Sequence, residues 1–381
     1  MAEREEALDL LCERVISIRR DVGNEWPYYA DPETGRWVTT KDGDWCAGQW
    51  IEMLRIVGDR LGMEELIKEA RDRTERIRWK IERDDMFRSM MFYYSAARLW
   101  ESLRDVEMQR LALDVAYRER AMAIPCNGAM PIGRQVQVLS VEPEFAKEKG
   151  SWIVAVDNVF PNLLLDWWAY KQTGDKKFID GARRHLDLTA RDFIRPDNST
   201  VEFIEYDSNT CSIVRRFTLL GYSDDSCWSR GQAWAIAGYL RAYEESRDLR
   251  YLDIAKKLFD FFWDNSGPDH IPPWDFLAPN REEGPVDTSA AAIVASALAR
   301  IAVLKPVPEQ AKPLVEKLNP LLDGLCKHLT PVTRGDKRPP GMLVDGCFNH
   351  PRRFADRHEL IWGDFYLLEA LYCLERGGLP C

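Results

Sequence analysis

Apolar residues recur at helical spacing through most of the chain, in segments near 3–21, 47–62, 64–79, 86–102, 105–121, 152–173, 176–193, 228–246, 249–265, 287–304, 309–327 and 360–376. Most of these segments come in adjacent pairs joined by turns as short as Gly174-Asp175 and Arg247-Asp248, which is how antiparallel helical hairpins are written. A weak internal repeat supports the pairing: Thr173-Gly-Asp-Lys-Lys-Phe-Ile-Asp-Gly-Ala-Arg-Arg returns as Ser246-Arg-Asp-Leu-Arg-Tyr-Leu-Asp-Ile-Ala-Lys-Lys. Each copy opens the second helix of a hairpin, with Asp175 or Asp248 placed to cap its free amides. The pattern predicts an all-α chain in which six helical hairpins close into a toroid, as one domain spanning residues 1–381.

Polar, Gly- and Pro-rich stretches at 22–44, 122–150, 194–227, 266–286 and 329–359 interrupt the periodicity. Loops of that length in a compact domain usually carry function, and gathered at one end of a toroid they would ring a funnel lined by some of the 14 tryptophans.

The net charge of -10 is spread through the sequence without blocks, which excludes an electrostatic footprint for nucleic acid or an anionic membrane. No window is apolar enough for a membrane span and no signal core follows the first residues, so a soluble, cytoplasmic protein is expected. Nine scattered cysteines without a CxxC pair read as reduced thiols, and five isolated histidines predict no metal site and no cofactor. Nothing in the string separates a monomer from a homodimer.

Three segments concentrate chemistry. Asp84 and Asp85 are consecutive carboxylates before an apolar helix, where they serve either as caps or as reactive acids. Asp157 lies between Trp152-Ile-Val-Ala and Leu163-Leu-Leu-Asp-Trp-Trp; so much apolar surface strips a carboxylate of water and favours its protonated form, suiting a general acid. The competing role for Asp157 is an N-cap of the helix through Trp168, and the two can coexist. In Trp228-Ser-Arg-Gly-Gln-Ala-Trp, helical spacing puts Trp228 with Gln232 on one face and Arg230 with Trp234 on another, so one pair can face a cavity while the other packs away. Aromatic faces beside a guanidinium and an amide suit an acidic sugar; Trp234 by itself reads as core.

The run Asp225-Ser-Cys-Trp-Ser-Arg-Gly-Gln-Ala-Trp-Ala-Ile resembles the signature of the unsaturated glucuronyl hydrolases, glycoside hydrolase family 88. Trp45-Cys-Ala-Gly-Gln-Trp, Val156-Asp-Asn, Arg195-Pro-Asp-Asn-Ser-Thr, Pro273-Trp-Asp-Phe, Asp287-Thr-Ser-Ala-Ala-Ala-Ile and Leu360-Ile-Trp-Gly-Asp-Phe are similar to other family blocks in the same order, over roughly residues 40 to 376. The resemblance implies an (α/α)6 barrel that removes 4,5-unsaturated uronic acid from the non-reducing end of lyase-generated oligosaccharides. The implied reaction is vinyl-ether hydration: an aspartic acid protonates C4, water adds at C5, and the hemiketal opens to release the aglycone. By position the acid is Asp157, the second carboxylate Asp85 or Asp84, and Trp45, Glu202, Leu220, Trp228, Arg230 and Gln232 fall around the sugar; no metal is implied.

The chain also departs from the pattern. It has Asp84-Asp85-Met86-Phe87-Arg88 where the family has His-Asp, an apolar residue, Gly and Phe, Glu202 where many members have a histidine, and Leu219-Leu220 where they have His-Gln. A greasier pocket follows, and with it a rival reading: a six-hairpin barrel recruited for non-glycosidic chemistry or a more apolar small molecule.

Overall fold

The computed structural model describes residues 2–136, 138 and 151–378, so part of the 122–150 loop and Cys381 lie outside the described residues. The helices are α1 (Ala2–Val22), α2 (Ala47–Leu61), α3 (Glu64–Arg76), α4 (Arg88–Phe92), α5 (Arg98–Leu103), α6 (Val106–Arg120), α7 (Leu164–Thr173), α8 (Lys176–Asp192), α9 (Ser229–Ser246), α10 (Leu249–Asn265), α11 (Thr288–Ala302), α12 (Lys312–Cys326) and α13 (Ile361–Arg376). A π-helical turn, Tyr93–Ala97, fuses α4 and α5 into one rod, leaving twelve helices among the described residues.

Six of them form an inner ring. Contacts run from α2 to the α4–α5 rod, on to α7, through the turn at 156–159 to α9, then to α11, α13 and back to α2. The remaining six pack outside, each against an inner neighbour, and this is the (α/α)6 barrel expected from the hairpin pattern. Burial follows the sequence: all of Ser229–Glu244 in α9 and Thr288–Ile301 in α11 is buried, whereas outer α8 and α10 bury one stripe. Asp175 and Asp248 cap α8 and α10, accepting the amides of Lys177 and Arg250 at 3.1 and 3.0 Å.

The helix expected over 152–173 is a correction. Residues Ser151–Ala155 form strand β3, Val156–Val159 a 3-10 turn, and the helix begins at Leu164. β-Branched Ile153 and Val154 find an antiparallel partner across the chain in β4 (Phe203–Asp207), which pairs in turn with β5 (Ile213–Phe217). A second small sheet joins β1 (Trp26–Ala30) to β2 (Trp37–Thr40) and β6 (Glu359–Leu360). The expectation of reduced thiols also fails at one place: Cys126 and Cys211 are joined in a disulfide. Among the described residues, no helix is long and apolar enough to cross a membrane.

One end of the ring is plugged by charge. Glu52 bridges Arg55 and Arg98, while Arg300 pairs with Glu244 and approaches Glu369, all of them buried. Buried ion pairs stabilise only when matched, and these fill the centre of the barrel with fixed partners. The opposite end, where the inner helices begin, stays open.

Candidate functional site

Every inner helix starts at this open end: Trp45 just precedes α2, Phe87 precedes α4, Asp157 precedes α7, Trp228 and Arg230 begin α9, Asp287 precedes α11, and Trp362 lies in the first turn of α13. The converging helix starts direct the positive ends of the helix dipoles towards one place. There the structure holds a cavity with about 600 Å³ of empty space, partly continuous with solvent. Its walls are Trp45, Met86, Phe87, Ile132, Val136, Val138, Asp157, Phe203, Leu220, Trp228, Arg230, Trp234 and Phe348.

Only two of these side chains carry charge. Asp157 sits on the 156–159 turn, buried, and no hydrogen-bond partner reaches its Oδ1 among the described residues. Burial, reinforced by the nearby Glu202 carboxylate and opposed by Arg230, raises its pKa from 3.8 to about 8. The N-cap role is overturned, because α7 starts seven residues later behind Leu163 and without a side-chain cap. Arg230 is locked: Nη1 donates to Asp287 Oδ2 at 2.6 Å and to the Cys347 carbonyl, and Nη2 to the Phe348 carbonyl at 2.8 Å. The plane of its guanidinium lies over Trp228 at 4.6 Å.

Trp45 is fixed by its indole N–H donating to Tyr28 Oη at 3.1 Å and by ring contacts with Phe87 and Trp362 at 5.0 and 4.7 Å. The adjacent aspartates separate. Asp84 is half-buried and turns to the 133–135 loop, where its Oδ2 accepts the Arg134 amide at 3.3 Å and its backbone exchanges hydrogen bonds with Gln135. Gly133 (φ +86) permits this contact, since a Cβ there would come within 2.3 Å of the Asp84 carbonyl. Asp85 is buried but does not line the cavity as its neighbours Met86 and Phe87 do; it accepts the Phe87 amide at 2.9 Å, and is raised by burial to about 6, against that amide and Arg83.

Trp45, Asp157, Leu220, Trp228 and Arg230 thus share one cavity, and Glu202 sits behind its wall, bonded to the Leu219 and Leu220 amides at 2.9 and 3.0 Å. Gln232 does not join them: its amide donates to the carbonyls of Asn198 and Leu258, both at 2.9 Å, and ties α9 to its surroundings. The pairing of faces fails because Trp228 is the N-cap residue (φ −63, ψ 124), outside the helix, so helical spacing does not govern its direction. Trp234 lines the cavity although it read as core.

Sequence reasoning missed Phe203, Phe348, Ile132, Val136 and Val138. They come from β4 and from irregular segments whose spacing carries no facing signal. Asp287, the partner of Arg230, appeared in the sequence only within a family-like block and without a role. Among the described residues, no group of three or more His, Cys, Asp or Glu side chains is arranged to hold a metal ion.

No family model matches the chain. The unsaturated glucuronyl hydrolase of Bacillus sp. (strain GL1) is 28% identical over 376 residues, 93% of this chain and 92% of that protein. The unsaturated chondroitin disaccharide hydrolase of Streptococcus pneumoniae is 31% identical over 214 residues, covering 55% of this chain and 53% of the relative, so the chain matches about half the length of that protein. The crystal structure of unsaturated glucuronyl hydrolase from Bacillus sp. GL1 superposes with a TM-score of 0.83 at 26% identity, over 98% of this chain and 96% of that one. That structure is a six-hairpin α/α barrel like this one.

Proposed function

From the membership of this chain in the unsaturated glucuronyl hydrolase family, we propose that it hydrolyses oligosaccharides bearing a 4,5-unsaturated uronic acid at the non-reducing end, with Asp157 as the proton donor. The observation that carries this reading is the single carboxyl on the cavity wall: Asp157 is buried, unpartnered at one oxygen, and protonated near neutrality. A general acid needs that state at working pH. Its proton passes to C4 of the vinyl ether, water adds at C5, and the water's second proton restores the carboxyl. The hemiketal then opens and the aglycone leaves.

The remaining parts suit an anionic ring. Trp45 and Trp228 offer flat faces, Arg230, paired with Asp287, presents a fixed guanidinium, and the helix starts supply positive potential without a flexible side chain to order on binding. Asp85, buried next to Met86, is the second carboxylate in this reading, and the engagement of Asp84 with the 133–135 loop supports that choice. We place the enzyme in the cytoplasm, in keeping with the buried free thiols Cys12, Cys46, Cys227, Cys347 and Cys373; the Cys126–Cys211 disulfide is the feature that opposes this.

The apolar wall of Ile132, Val136, Val138, Leu220 and Phe348 favours a second reading, a barrel recruited for a more apolar ligand. Unsaturated uronyl disaccharides from several lyases separate the two, followed by the ultraviolet absorbance of their double bond. Turnover that is lost in Asp157→Asn supports the hydrolase; a folded protein that turns over none of them supports the recruited barrel.

A further inference from the structure

The antiparallel ladder that pairs Ala155 with Phe203 runs one step further, Val156 N–H donating to the Glu202 carbonyl at 2.8 Å. That bond sets Glu202 beside the turn that carries Asp157. The Glu202 side chain is 5% exposed, and its Oε2 accepts three donors: the Thr218 hydroxyl and the Leu219 and Leu220 amides at 2.9 and 3.0 Å. Its Oε1 is buried with no hydrogen-bond partner among the described residues, and so is Asp157 Oδ1. The two carboxyls are therefore unequal: burial raises both, Glu202 to about 7 against its donors on the 218–221 segment and Asp157, which has no side-chain donor, to about 8, so Glu202 is the first of the two to ionise.

We propose that Glu202 is a positioning residue for the proton donor: the donors of the 218–220 turn let it ionise before Asp157, and its charge then keeps the neighbouring Asp157 carboxyl protonated and able to donate. The inference rests on the reading of Asp157 as the acid. The three bonds to the 218–220 turn engage only one oxygen of Glu202, and the carboxyl as a whole lies beside the turn that carries Asp157, where its charge can act. Few other groups act on Asp157. From α9 comes Arg230, its charge already matched by Asp287; the Met86-Phe87 turn and residues 132, 136 and 138 present apolar side chains to the cavity. The 218–221 segment offers Glu202 only the Thr218 hydroxyl and backbone amides.

Glu202→Gln keeps an acceptor for the three donors and removes the charge. The loss of the proton donor sets the alkaline limb of the kcat/KM profile, and this limb is expected to move down by about one pH unit in Glu202→Gln and to stay in place in Glu202→Asp. Thr218→Val, which removes one donor and so weakens ionisation of Glu202, is expected to move the limb in the same direction by less, and serves if Glu202→Gln does not fold. A 13C NMR titration of the Asp157 carboxyl reads the same shift without turnover, so an inactive wild type, which would count against the hydrolase reading, leaves this test intact. An Asp157 midpoint that is unchanged in Glu202→Gln or Thr218→Val overturns the proposal, even if activity falls uniformly across pH.

Discussion

Arg230 donates to Asp287 at 2.6 Å with both side chains shut away from water, and Asp287 spends its other oxygen on the Ser289 amide and hydroxyl and the Cys347 amide. One aspartate thus caps α11, neutralises the cavity's cation and holds the 347–348 segment that supplies Phe348 to the wall. Removing one partner of a buried pair leaves the other charge uncompensated, so Asp287→Ala is expected to lower stability by about 3–5 kcal/mol. Urea denaturation followed by tryptophan fluorescence measures it; a loss below about 1 kcal/mol would contradict the assignment.

Arg230→Lys tests geometry at constant charge. A lysine ammonium is a single point and cannot serve Asp287 and the carbonyls of Cys347 and Phe348 from two nitrogens of one rigid plane. The expected result is a fall in kcat/KM of about 10-fold or more, measured on whichever unsaturated disaccharide the wild type turns over.

The two adjacent aspartates should behave differently. Asp84→Asn touches only the 133–135 loop and is expected to leave kcat/KM within about 3-fold, whereas Asp85→Asn alters the buried carboxyl beside the cavity and is expected to cost about 10²-fold. Steady-state kinetics on the two variants decides it, and equal losses would contradict the assignment.

Stability should depend on pH through Asp157. Its folded pKa of about 8 lies above the ordinary 3.8, so between these values the folded state holds a proton that the unfolded chain has lost. Stability from this group is therefore full below about pH 4 and declines as pH rises towards 8. Asp157→Asn carries no such penalty, and at pH 8.5, on the far side of that window, it should exceed the wild type by about 2 kcal/mol or more, with the gap shrinking towards pH 4. Chemical denaturation at several pH values reads the slope.

The barrel was legible because its helices obey one period and because aspartates such as Asp175 and Asp248 mark their starts. The segment 152–163 was not: its apolar run fits a helix locally, and becomes a strand only because residues 203–207, some fifty positions away, supply the ladder. The nearness of Glu202 to Asp157 follows from that ladder and from no local spacing, so only the family resemblance put Glu202 near the site. Asp157, Trp228 and Arg230 stood out because their segments carry charge or indole rings where packing needs neither, and Trp45 through the family resemblance; the structure brings all four to one cavity. Gln232 was misplaced by applying helical spacing across an N-cap, and the different surroundings of Asp84 and Asp85 depend on the 133–135 loop, which no local spacing places against Asp84.

The central claim, that Asp157 delivers a proton to the substrate's double bond, is tested most directly by turnover in D2O with the product read by NMR and mass spectrometry. The account predicts one deuterium at C4 of the released uronate from the wild type and no product from folded Asp157→Asn. Product without deuterium at C4, or undiminished turnover by the variant, would contradict it.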